Sequence, residues 1–175
     1  MVYLVDRSSI KNEVCAKLRR RQKVEKSENV QFILEDFLPY KLNVIAQMVS
    51  KSFSETYGES FNISVPEWRV IAHLNQRQNV SIREIAEEAY MPKAKVTRAV
   101  QILEARKWVK KVVDPDDRRL VRVRLTNKGQ KRFNEIAPLA LEFEANILKN
   151  LSKELRADAK ILVDALLTVI RSGDN

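Results

Sequence analysis

Lys93, Lys95, Thr97, Arg98 and Gln101 place long cationic and amide donors and one hydroxyl on one side of a helical repeat. Val96, Val100 and Leu103 occupy the opposite stripe. Such a face can donate hydrogen bonds to phosphate oxygens and to acceptors on base edges. A second group follows close by. Arg118 and Arg119 end the run Asp114-Pro115-Asp116-Asp117-Arg118-Arg119, and Arg122 and Arg124 alternate with Val121, Val123 and Leu125. Between Lys93 and Arg132 fourteen Lys and Arg stand against four Asp and Glu, a net +10, while the whole chain carries +9. The basic character is therefore a patch, and a patch of this density predicts a polyanionic partner, with Arg122 and Arg124 facing backbone phosphates.

Other chemistries find little to work with. His73 is the single histidine, no second metal ligand is spaced near it, and no nucleophile elbow surrounds it, so no catalytic residue, metal or cofactor is expected. A hydrolase reading would have to rest on His73 alone. Cys15 is the only cysteine, which excludes an intramolecular disulfide and suits a reducing compartment. Three glycines leave no material for a phosphate-cradling loop or a dinucleotide-binding turn. No apolar run reaches the ~20 residues of a membrane span, and the first residues lack the form of a signal peptide, so a cytoplasmic location without membrane contact is expected.

The elements that must position the basic face are mostly helical. Residues Ile10 to about Lys26 form a short amphipathic extension, and Asn29 to about Tyr57 a long helix that Pro39 kinks or divides and Gly58 closes. Ser64-Val65-Pro66-Glu67 and Ser81-Ile82-Arg83-Glu84 both have the capping-box form and open two helices. Pro92 suits the first turn of a third, running to about Lys107. The pattern then turns to alternation: Trp108 to Val113 and Val121 to Leu125 are two strands, joined by a turn that Pro115 and its flanking aspartates favour. Thr126 caps a second long helix to about Leu151, and Ser152 starts a last one whose Leu and Ile density exceeds what a lone terminal helix needs. Four regions follow: an extension over 1–28, a long helix region over 29–63, a basic lobe over 64–126 and paired helices over 127–175.

Helix, short helix, tight turn, second helix and hairpin make a winged helix-turn-helix, in a fold that is mainly α with a small β wing. The second helix of the pair would enter the major groove, and the hairpin tip with Arg118 and Arg119 the neighbouring minor groove. At this point the residues resemble a known family. Ile85-Ala86, Val96-Thr97-Arg98, Leu103-Glu104, the Asp114 to Arg119 run and Val123-Arg124-Leu125-Thr126-Asn127-Lys128-Gly129 are similar to the MarR (multiple antibiotic resistance regulator) family. The likeness is dense from about Trp68 to Gly129, and with the flanking helices it covers roughly 30 to 170.

The resemblance implies a homodimer joined through the N-terminal and the two C-terminal helices. It implies double-stranded DNA as partner, a roughly palindromic operator, repression, and release by a small phenolic or aromatic effector. Asp117 would brace the wing. Phe37, Tyr40, Met48, Phe61, Trp68 and Ile71 are candidates for the effector pocket, although aromatics at helical spacing more often build a core. Cys15 could sense oxidants, as an N-terminal cysteine does in some relatives, against the plainer reading that it fills an apolar stripe with Ile10, Val14 and Leu18. The alternative to a ligand-responsive regulator is a constitutive nucleoid-type or protein-interaction winged helix. Two positions depart from the family pattern, Pro92 where a serine is frequent and Lys95 where a threonine is frequent, so no operator preference carries over.

Overall fold

The computed structural model describes residues 31–114 and 120–173. The expected extension with Cys15 and the hairpin tip with Asp117, Arg118 and Arg119 lie outside the described residues. Residues 31–42 form a 3-10 turn, Leu34–Asp36, and the first turn of α1 (Leu38–Phe61). Phe32 packs its ring edge-on against Phe37 with centroids 5.4 Å apart, and Lys41 pairs with Asp36 at 3.6 Å. Pro39 neither kinks nor divides the helix. It is the second residue of α1, where a missing N–H removes no helical bond.

The other end of α1 also differs from expectation. Gly58 stays helical, and the helix continues to Phe61. Asn62 ends it instead, in the left-handed conformation at φ 49° with its N–H on the Gly58 carbonyl at 2.7 Å. Asparagine tolerates that conformation better than most residues, so the stop signal works four residues later than the glycine suggested.

Helix α2 (Val65–Gln76) has Pro66 in its first turn. Ser64 does not cap its backbone, because its hydroxyl donates to Glu67 Oε1 at 2.8 Å instead. The next helix, α3 (Ile82–Glu88), has the complete box. The Glu84 N–H donates to Ser81 Oγ at 3.2 Å, and the Ser81 N–H donates to Glu84 Oε2 at 2.7 Å. The Ser81 N–H bond to the ionised carboxylate, followed by the Ser81 hydroxyl beside it, holds the Glu84 pKa below its usual range. Tyr90, left-handed at φ 49°, makes the turn into α4 (Lys93–Ala105).

Strand β1 (Val80–Ser81) was not expected, and it makes the sheet three-stranded and antiparallel in the order β1-β3-β2. In this sheet β2 (Val109–Val113) pairs with β3 (Val121–Leu125), placing Lys110 opposite Arg124 and Lys111 opposite Val123. Thr126 then caps α5 (Asn127–Leu148), its hydroxyl accepting the Gly129 N–H at 3.1 Å. A Cβ at Gly129 would lie 2.0 Å from the Trp108 carbonyl oxygen, so only glycine lets the helix start this close to the sheet. The last helix is α6 (Lys153–Gly173).

The core sits where α2, α3 and α4 meet the sheet and the first half of α5. Val70, Ile71, Leu74, Ile85, Val96, Val100, Leu103, Val123 and Ile136 are fully or almost fully buried there. Tyr57 joins them with its hydroxyl unpartnered among the described residues, and burial pushes its pKa up to about 12.

Candidate nucleic-acid interface

Helix α4 is amphipathic in the way the sequence predicts. Val96, Ala99, Val100 and Leu103 anchor it, while Lys93, Lys95, Arg98 and Gln101 are exposed and Thr97 is half-buried. At 1.5 Å per residue its 13 residues make a rod about 20 Å long, a size that a major groove admits. The Thr97 hydroxyl donates to the Lys93 carbonyl at 2.9 Å, which leaves its oxygen lone pairs as acceptors. Lys93, Lys95 and Arg98 have no ion-pair partner among the described residues. Their charge is uncompensated, and the α2–α3–α4 packing holds the helix that presents it.

The strand arginines are placed differently from one another. Arg122 pairs with Asp114, donates to the Asn79 carbonyl at 2.9 Å and lies 4.0 Å from Glu84. It thereby ties the wing to the start of α3, and Asp114, buried at 6% exposure, is the brace. Sequence reasoning named Asp117, which lies outside the described residues, as a brace and did not name Asp114, whose partner is visible only once the strand register is known. Arg124 is half-buried on β3 beside Lys110, with its Nε buried and unpartnered among the described residues.

His73 lies on α2 with Nδ1 3.6 Å from Glu88, which also holds Arg77. Among the described residues no cluster of three His, Cys, Asp or Glu could hold a metal ion, and no helix is long and apolar enough to cross a membrane.

The six residues proposed from sequence for an effector pocket have different surroundings. Phe37 and Tyr40 belong to the first short unit and are exposed, Met48 is exposed on α1, and Ile71 is fully buried in the core. Phe61 packs against that core. Trp68 stacks on Phe133 of α5 with rings 5.8 Å apart and 7° from parallel, and Phe53 and Tyr57 close the cluster. Trp68 also lines a small cavity of about 330 Å³ with Arg69, His73 and Glu88. A larger cleft of about 610 Å³ lies between α1 from Asn43 onward, the start of α2 and the turn into α4. Its polar wall includes Ser50, Lys51, Arg69 and Lys95, with Arg69 donating to Ser50 Oγ at 3.2 Å, and its turn side holds Tyr90 and Met91.

Comparison with known proteins agrees with this geometry. Residues 61–120 match the model of the MarR family. The HTH-type transcriptional regulator BilQ of Clostridioides difficile (strain CD3) is 26% identical over 98 residues, 54% of this chain and 66% of its own length. This chain thus spans just under two thirds of that relative. A MarR family transcriptional regulator from Silicibacter pomeroyi DSS-3 has the same fold with a TM-score of 0.70 at 28% identity, covering 80% of this chain and 99% of that one. BpsR of Bordetella bronchiseptica, solved for the mechanism by which 6-hydroxynicotinic acid regulates its DNA binding, matches with a TM-score of 0.69 at 22% identity over 77% of this chain and 96% of that one.

Proposed function

We propose that this chain, whose residues 61–120 match the model of the MarR family and whose fold is shared with a regulator of that family at 28% identity, is a homodimeric, sequence-specific DNA-binding regulator that represses from a palindromic operator and is released by a small aromatic effector. It is not an enzyme. The observation that carries the reading is the uncompensated face of α4, Lys93, Lys95, Thr97, Arg98 and Gln101, on a helix locked by four buried side chains. The two α4 helices of a dimer would enter successive major grooves about 34 Å apart, with the wings and their Arg118 and Arg119 in the flanking minor grooves.

Support for the dimer is the apolar surface that the long helices leave uncovered, including Ile45, Met48, Leu141, Leu162 and Val169. Support for an effector is the cleft between α1, α2 and the turn into α4, because Lys95 at its edge belongs to the DNA-reading helix. A planar acid seated against Arg69 and Lys95 would compete with phosphate for the same charge and change the angle of α4. Such a ligand shifts DNA affinity only by its differential affinity for the free and DNA-bound forms.

The test is fluorescence anisotropy of the upstream intergenic DNA against scrambled DNA at near-physiological salt, for wild type and Lys93→Ala/Arg98→Ala. The expected result is a preference of about 10³ or more for the native fragment, lost in the variant. Equal binding to both sequences would favour a nucleoid-type protein. Absence of binding would refute the proposal.

A further inference from the structure

The wing's sheet has two faces of different chemistry. Val109, Val123 and Leu125 point inward, and Lys111, on the same face as its register partner Val123, is held by Glu104 of α4 at 2.6 Å. Lys110 and Arg124 are register partners one step along each strand, so they project from the opposite face, away from α4. Two further lysines reach the same place. Lys107 is left-handed at φ 61° where the chain leaves α4 for β2, and Lys128 sits in the first turn of α5, its ammonium on the Arg106 carbonyl at 3.2 Å.

These four cations border an open concavity of about 660 Å³, with Gln78 and Thr126 among its other walls and no carboxylate among its lining residues. The charge is not matched from within, since Arg124 keeps a buried Nε that no described residue accepts. Four like charges around one hollow repel one another in the free protein, and an anionic occupant removes that penalty. The N-terminus of the 22-residue α5 adds its partial positive charge to the same rim.

We propose that Lys107, Lys110, Arg124 and Lys128 form a second phosphate site that holds the DNA backbone flanking the operator and curves it around the outer side of the wing. The inference rests on the DNA-binding reading above. It assigns to the outer face of the sheet a duty that α4 cannot perform, because α4 packs against the inner face. The occupant is a backbone rather than a small phosphate compound on two grounds. The concavity is open, and three of its four cations are lysines on flexible stems, which bind phosphates as point charges without the fixed fork that orients a single compact anion. The groove also continues from the hairpin strands, each five residues or about 17 Å long, down which a duplex leaving the wing would pass.

The test compares two duplexes cut from the upstream fragment, the protected core alone and the core with roughly one helical turn, ~10 bp, added on each side. Binding of wild type and of Lys107→Ala/Lys110→Ala/Lys128→Ala is measured across a salt series, with thermal melting to establish that the variant folds. Wild type is expected to gain about tenfold from the flanks, with a salt slope steeper by about 2 to 3. The variant should keep core affinity and lose both gains. A variant that retains the flank gain, or that weakens on core and long duplexes alike, overturns the proposal while leaving the regulator reading intact. Wild type that binds neither duplex refutes that reading itself, and this one with it. Melting in added inorganic phosphate separates the sources: phosphate stabilisation abolished by the substitutions, with the flank gain unchanged, would make the groove a small-anion site and overturn the assignment.

Discussion

Helices α4 and α6 are both amphipathic, and the structure treats their apolar stripes in opposite ways. In α4 every stripe residue is covered by its own chain, with Val96, Val100 and Leu103 fully buried. In α6 no described side chain is buried, and Leu155, Ile161, Leu162, Val169 and Ile170 are each more than half exposed. All the buried apolar side chains of the described residues lie between Tyr57 and Ile136. An amphipathic repeat thus says that a face will be covered without saying by what. The stripe of α4 is covered within its own chain; that of α6 is left open among the described residues, as an interface helix leaves its own.

The sharpest way to break this contrast is to charge the α6 stripe. Leu162→Glu/Val169→Glu should turn the proposed dimer into a monomer in analytical ultracentrifugation. It should also lower operator affinity by about two orders of magnitude or more, since each lobe then binds alone. A variant that stays dimeric would place the interface elsewhere.

The close packing of the core that holds α4 predicts the reverse sensitivity, damage from added volume. Gly129→Ala places a methyl carbon 2.0 Å from the Trp108 carbonyl oxygen, so it should lower unfolding free energy by about 2 kcal/mol or more in urea titrations. Tyr57 sharpens the point by pH. Its folded pKa, near 12, lies above the ordinary tyrosine value of 10.0, so its contribution is fully present below pH 10 and is lost as pH rises toward 12. Tyr57→Phe should remove that part of the alkaline loss and be close to neutral at pH 7, because the hydroxyl gives up no bond to a described residue. Comparative melts of the two proteins at pH 8 and pH 11 would show it. The smallest effect is expected at Gly58, where a Cβ meets nothing within 4 Å inside a helix. Gly58→Ala should stabilise by about 0.5–1 kcal/mol.

Much of the lobe was legible in the sequence because its signals are local. The Ser81–Glu84 box, the alternation of Val121, Val123 and Leu125 and the apolar stripe of α4 each depend on spacing within a few residues, and each took the expected form. Strand β1 was not legible, since two residues carry no period. Gly58 misled because a glycine permits a helix end without requiring one, and Asn62 supplied the left-handed residue. The Asp114–Arg122 brace and the groove around Lys107, Lys110, Arg124 and Lys128 depend on strand register and on where α5 begins, which no local pattern encodes. The aromatic residues read as pocket candidates illustrate the same limit. Helical spacing put Trp68 on a face, but that face stacks on Phe133 of a helix some sixty residues later.

The most direct test of the account is a hydroxyl-radical footprint of the purified protein on its own upstream DNA. A dimer reading DNA through two α4 helices predicts two symmetric protected patches on one face of the duplex, about 10 bp apart from centre to centre. Uniform protection along the fragment, or a single patch without a symmetric mate, would contradict it.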